Sequence, residues 1–184
     1  MPTGKKTEGP KLYLVCGIPV SGKSSIAGEI AAAEKAVILS YEQIRQEIYG
    51  SGAKRERGQD KEVFRLMQAL FEEALKAGRT IVIDSVNGLP FTRRRYAIGA
   101  RKRDYRTICI FCHKHCAYAV TANMMREGYR YYADDIKREF DRFVPPEHNE
   151  GWNEIRIMDG NRYSLEVEGQ IPVERRSAPG KQKR

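Results

Sequence analysis

Residues 17–24 read Gly-Ile-Pro-Val-Ser-Gly-Lys-Ser, a complete match to G-x-x-x-x-G-K-[ST]. That pattern works only between a buried strand and a helix, so it constrains the fold more than any other feature of the chain. Both flanks are present. Leu12–Cys16 (LYLVC) is a short apolar run stopped by glycine, as a buried parallel strand would be, and Lys23–Ala33 is rich in Ala and Glu. Glycines let successive backbone N–H groups turn inward around phosphate oxygens, and the following helix points its positive end at them. The loop, Gly17, Ile18, Pro19, Val20, Ser21, Gly22, Lys23, Ser24 and Ser25, is therefore the expected phosphate site. Lys23 supplies charge to the β- and γ-phosphates and the Ser24 hydroxyl faces Mg²⁺. The expected ligands are ATP, with GTP as the alternative, and Mg²⁺.

The rest of the chain repeats the strand–helix alternation. Ala36–Ser40, Thr80–Asp84, Thr107–Cys112 and Glu154–Met158 read as further strands. Helical spacing runs through 41–49, 61–77, 90–103, 117–127 and 134–143, and 51–59 reads as a polar loop. This order predicts an α/β fold, a three-layer α/β/α sandwich on a mostly parallel sheet with a small helical lid. A length of 184 residues suits one domain, and no apolar run reaches membrane-span length. The first residues lack the pattern of a cleavable leader, which makes a cytoplasmic location the expectation.

The formal net charge is +9. Residues 1–11 carry +2 of it and 174–184 carry +4, in stretches poor in apolar residues and expected to be disordered. Within the remainder, 93–106 nets +6, including Arg93, Arg94 and Arg95. That segment is a candidate track for an acceptor's phosphates, with Tyr96, Tyr105, Tyr129, Tyr131 and Tyr132 as aromatic surface or as packing residues. Consecutive arginines cannot share one helical face, so at most two of the three can point at one ligand.

Two acids sit where strands end. Asp84 closes the third strand, at the edge where α/β sheets gather ligands, and reads either as a holder of Mg²⁺ or as a turn residue before Asn87-Gly88. Glu42 follows the second strand by two residues and reads either as a general base or as an acid at a helix N-terminus. Cys109, Cys112, His113, His115 and Cys116 supply zinc-type ligands, but a strand over 107–112 sends Cys109 and Cys112 to opposite faces, which favours buried thiols.

Taken together, GIPVSGKSS at 17–25, SYEQIRQEIYG at 40–50, LKAGRTIVIDSVN at 75–87, the arginines at 93–95, NMMREGYR at 123–130 and DRFVPPEHNEGWNEI at 141–155 resemble the P-loop kinases of the 5′-hydroxyl polynucleotide kinase type. Their relatives phosphorylating small molecules or aminoacyl-tRNA are similar. The resemblance implies a P-loop NTPase fold over 12–160 with a lid at about 117–146, flanked by a basic tail at 1–11 and an extension at 161–184. It implies Glu42 as general base, where the family carries aspartate, and Asp84 as metal or substrate ligand. Arg45, Asn87, Arg93 and Arg94 become acceptor contacts, and Arg126 and Arg130 lid arginines over the phosphates. Ala122 stands where a lid arginine is common. Three functions follow: a polynucleotide 5′-hydroxyl kinase, a kinase of a small or tRNA-borne hydroxyl, and a non-catalytic nucleotide-binding module.

Overall fold

The computed structural model describes residues 9–51, 58–127, 131–159 and 162–165. The elements in chain order are β1 (Lys11–Cys16), α1 (Lys23–Glu34), β2 (Val37–Ser40), α2 (Tyr41–Tyr49), α3 (Gln59–Lys76), β3 (Ile81–Asp84), α4 (Pro90–Arg101), β4 (Arg106–His113), α5 (Cys116–Met124), α6 (Ala133–Arg142), β5 (Glu154–Asp159) and β6 (Arg162–Leu165). The sheet order is β2-β3-β1-β4-β5-β6. The first five strands are parallel, and β6 adds antiparallel to β5. The expected fold class is the observed one. The sheet nevertheless runs past residue 160, where the sequence reading ended the domain. Of the tail expected over 1–11, Lys11 opens β1 and residues 1–8 lie outside the described residues, as do most of the 51–59 loop and everything beyond 165.

Strand alternation divides the core in two. Leu12, Leu14, Cys16, Ile81, Ile83, Cys109 and Phe111 face α2, α3 and α4, while Tyr13, Val15, Val82, Ile108, Ile110 and Cys112 face α1. Cys109 and Cys112 thus lie on opposite faces as expected, and Cys109 Sγ sits 3.8 Å from Cys16 Sγ. Helix α3 buries Val63, Met67, Phe71, Ala74 and Leu75, one stripe at helical spacing, with Asp60 and Glu62 in its first turn and Lys76 in its last. It packs on α4 through Phe71 against Tyr96, ring centroids 5.0 Å apart. A Cβ on Gly99 would come within 3.3 Å of the Phe71 ring, so glycine lets the helices close up here. A third, small cluster of Ile18, Ala119 and Ile136 joins α5 and α6 to the phosphate loop. Helix α5 ends at Met124, before the expected 127. The buried Asn123 side chain turns to hold the Tyr131 backbone instead, donating to its carbonyl at 2.8 Å and accepting from its N–H at 3.0 Å.

Burial sets an alkaline limit on this core. It pushes Tyr13, Tyr96 and Cys112 each up to about 12, with a Glu34 hydrogen bond adding to the rise at Tyr13. The unfolded chain releases these protons near pH 9 for the thiol and pH 10 for the phenols. Stability from the neutral groups is therefore intact below about pH 9 and falls as pH rises toward 12, at up to about 1.4 kcal/mol per pH unit for each of Cys112 and Tyr96 and less for Tyr13, whose hydroxyl end lies nearer solvent. Urea midpoints taken at successive pH values should hold steady through pH 8 and then drop steeply. A flat profile to pH 11 would mean these groups are solvated.

Candidate active site

The loop leaves β1 at Gly17, whose φ is 151°. A Cβ there would stand 2.5 Å from the Cys112 carbonyl oxygen and 2.7 Å from Ser21 Oγ. Gly22, at φ 91°, caps α1 with no side-chain hydrogen bond, which leaves the first amides of the helix for an anion. Ser21 Oγ is buried without a partner, packed against Gly17 within the loop. Val20 is held at φ 64°, a costly conformation for a β-branched residue, and its carbonyl accepts a hydrogen bond from Lys114 Nζ at 3.2 Å. Lys23 is buried and donates to the Ile18 carbonyl at 2.7 Å. Burial presses its pKa below the ordinary lysine value, with the Asp84 charge pulling the other way. Pro19, Val20, Gly22, Lys23, Ser24 and Ser25 border a cleft of about 1500 Å³, with Gly17, Ile18 and Ser21 outside its lining.

Strand register brings the metal-type oxygens together. Asp84 pairs with Val15 of β1 and with Ser40 of β2, so all three strand ends meet beside the loop. Asp84 Oδ2 accepts from Ser24 Oγ at 2.8 Å and from Ser40 Oγ at 3.1 Å. Hard oxygens from a carboxylate and a hydroxyl fit Mg²⁺, which keeps several waters and takes few protein ligands. Among the described residues, no group of three His, Cys, Asp or Glu side chains gathers into a softer metal site.

Glu42, in the first turn of α2, borders the same cleft, with Arg45 Nε 3.4 Å from its Oε1. Arg126 also borders it and lies over the Tyr131 ring, 5.9 Å to the centroid. Asn87, at φ 44°, contributes a buried Nδ2 with no partner. Arg130 and Tyr129 lie outside the described residues.

Three of the residues expected to contact the acceptor, Arg93, Arg45 and Arg94, do not border the cleft. Arg93 is fully buried, bonded to Glu150 through Nε at 2.8 Å and Nη2 at 2.5 Å. Its helical phase puts it in line with Tyr96, Ala97 and Ala100, on the face turned to the core. Arg45 is likewise buried beside Glu42 and does not border the cleft. Of the two readings open for Tyr96 and Tyr105, packing holds, since both are core residues. Arg94 is exposed, but on the outside of α4 and away from the cleft lining. In return the cleft recruits Lys61 and Phe64 of α3, Phe91 of α4, Lys114 and Arg138 and Arg142 of α6, none of which the sequence reading selected. Two signals were available: Lys114 follows the end of a parallel strand, and Arg138 and Arg142 are four apart on a helix.

The sequence profile of a family described as an AAA domain matches residues 12–142. The chain belongs to that family. No curated protein matches it. Solved structures similar to this AAA domain include Kti12 of Chaetomium thermophilum in complex with ADP-AlF3, at TM-score 0.62 and 14% identity over 82% of this chain and 89% of that one. A gluconokinase of Sinorhizobium meliloti gives TM-score 0.53 and 16% identity over 82% and 83%. A chain of the Pnkp1/Rnl/Hen1 RNA repair complex gives TM-score 0.59 and 17% identity over 77% of this chain but only 46% of that one. At such identities the likeness is one of fold, a P-loop NTPase of kinase architecture, and the family implies nucleotide binding. Among the described residues, no helix is long and apolar enough to cross a membrane.

For this AAA domain, Gly17→Ala is expected to force the loop off the Cys112 carbonyl at a strain of about 1–3 kcal/mol. Calorimetric ATP affinity should fall roughly tenfold, with a lowered melting temperature. Unchanged affinity would mean the loop does not cradle the phosphates.

Proposed function

We propose that this AAA domain is an ATP- and Mg²⁺-dependent phosphotransferase acting on a hydroxyl, with the 5′-hydroxyl of a polynucleotide, RNA or DNA, as its acceptor. The observation that carries the reading is one cleft holding Lys23, the Ser24–Asp84 pair and, beside them, the Glu42 carboxylate. The Glu42 oxygen takes the acceptor's hydroxyl proton as the acceptor oxygen bonds to the γ-phosphorus and the bond to the β-bridging oxygen breaks, leaving ADP. Lys23 and Arg126 stabilise the charge on the phosphoryl oxygens, and the loop amides hold the β-phosphate. Ser24 and Asp84 would hold the Mg²⁺, whose chemistry is to neutralise charge on the phosphates. The cleft exceeds the few hundred to 1,000 Å³ or so of an ordinary ligand pocket, which leaves room for an acceptor beyond the nucleotide. Phe64, Phe91 and Tyr132 border it as faces on which a base would stack, and Lys61, Arg138 and Arg142 as cations for its phosphates.

A second reading, a small polyhydroxyl acceptor, draws on Asp60, Asp135 and Glu139 in the same cleft, since carboxylates accept hydrogen bonds from hydroxyls. Transfer from γ-labelled ATP, with 5′-hydroxyl RNA, 5′-hydroxyl DNA, tRNA and a panel of polyols offered side by side, decides between them. Label on the oligonucleotide 5′ end supports the first reading, label on a polyol alone replaces it with the second, and no label anywhere overturns both.

A further inference from the structure

The +6 segment that drew attention in the sequence is sorted by the fold. Arg93 is consumed by Glu150, Arg103 by Glu72 at 2.9 Å and Arg106 by Glu154 at 3.0 Å, while Arg95 lies over the Phe64 ring at 5.2 Å. Arg94, Arg101 and Lys102 are left exposed, with no hydrogen bond or ion pair among the described residues. Arg93, Tyr96, Ala97 and Ala100 point to the core, and none of the three cations is on that face. Arg94 and Arg101, seven residues apart, share one row, and Lys102, the cap after α4, lies about 100° round the helix from them, in line with Phe91 and Ile98. No acid interrupts this outer stripe from Pro90 to Arg103. Phe91, 70% exposed, both heads the stripe and borders the catalytic cleft. From there to Lys102 the helix rises about 16 Å, the span of roughly five nucleotides in a helical strand. At its foot Arg101, Arg106 and Asn153 border a second depression together with Tyr105 and one acid, Asp104, beside the N-terminal end of β4.

We propose that the outer stripe of α4 is a docking track for single-stranded nucleic acid, which lies along Arg94, Arg101 and Lys102 and enters the cleft past Phe91. The proposal rests on the polynucleotide reading of the acceptor. Three features identify the occupant. The track is linear and cationic, as a phosphate backbone requires; its cleft end presents an exposed aromatic face for a base; and it starts at the cleft that would receive the strand's end. An acidic protein would match the charge but gains nothing from aromatic faces at the mouth of a phosphate-transfer cleft, on which a base stacks.

The test is binding of labelled 5′-hydroxyl oligonucleotides to the full chain, measured by fluorescence anisotropy across a salt series without ATP. The comparison is with a triple variant, Arg94→Gln, Arg101→Gln and Lys102→Gln, whose exposed positions leave the core untouched. Three lost phosphate contacts at about 0.7 each should flatten the log–log salt slope by about 2. At low salt the variant should bind a 12-mer at least about tenfold more weakly. Where the chain transfers phosphate, KM for a dinucleotide, KM for ATP and kcat should stay at wild-type values. An unchanged slope overturns the track, and so does displacement of the oligonucleotide by an acidic peptide of equal charge at equal potency. Failure of the track and failure of the acceptor reading separate cleanly. Oligonucleotide held through the stripe but never phosphorylated sinks the acceptor reading alone, whereas phosphorylated oligonucleotide with an unaltered slope in the variant sinks the track alone.

Discussion

Glu42→Gln is expected to lower kcat about 10²- to 10⁴-fold, some 3–5 kcal/mol of transition-state stabilisation, while KM for ATP stays within about twofold. The amide keeps the size and the hydrogen-bond reach of the carboxylate but cannot accept the acceptor's proton. The split between kcat and KM separates a base from a residue that only shapes the cleft. Glu42 is partly exposed and the amide still offers an oxygen to Arg45 Nε, so any shift of the urea midpoint should be small beside the loss of turnover. Glu42→Asp completes the experiment. Aspartate is the residue that the polynucleotide kinase resemblance calls for, and one methylene less moves the carboxylate back from the acceptor. Retention of substantial turnover in Glu42→Asp, against its loss in Glu42→Gln, would tie the rate to the charge. Wild-type turnover in Glu42→Gln would remove Glu42 from the chemistry.

The parts of this site that were legible in the sequence are those that local pattern controls. The phosphate loop is contiguous, and its strand and helix flanks are visible in the same thirty or so residues. Asp84 and Glu42 could be placed because both follow strand ends, where a parallel sheet gathers its ligands. Ser40 was not selected, although it shares Asp84 Oδ2 with Ser24, because that meeting depends on the register of β2 on β3 and nothing in either segment announces it. Lys61, Phe91 and Arg138 come to the cleft from three separate helices, and their convergence is a property of packing. Arg93 was misjudged for a specific reason. In a run of three arginines each looks like surface, and the partner that draws one of them inside, Glu150, lies 57 residues away beyond a proline pair. The inner phase of Arg93 with Tyr96, Ala97 and Ala100 was readable, but an arginine on an apolar stripe looks like a flaw in the helix until its carboxylate is known.

Removal of that arginine should have the largest effect on stability of any change considered. Arg93→Ala is expected to cost about 3–5 kcal/mol, out of the 5–15 or so that holds a domain folded. The Glu150 carboxylate, 2% exposed, would keep Trp152 Nε1 at 3.1 Å and the Glu147 N–H at 3.2 Å but lose its countercharge. The carbonyls of Asn87, Val144 and Pro145, which accept from the guanidinium at 2.8–3.2 Å, would lose the group that joins them. Those carbonyls tie the turn after Asp84 to the segment that follows α6, so the loss is not confined to the core. Urea unfolding should show the drop directly. Arg93→Lys should recover little, since an ammonium cannot span two carboxylate oxygens and three carbonyls at once. Arg93→Met combined with Glu150→Leu removes both charges together and should recover part of the loss. Full recovery is not expected, because the three carbonyls and the Trp152 and Glu147 N–H groups stay without partners. A single variant within about 1 kcal/mol of wild type would show that water reaches Glu150 and that the pair is no linchpin of the cleft.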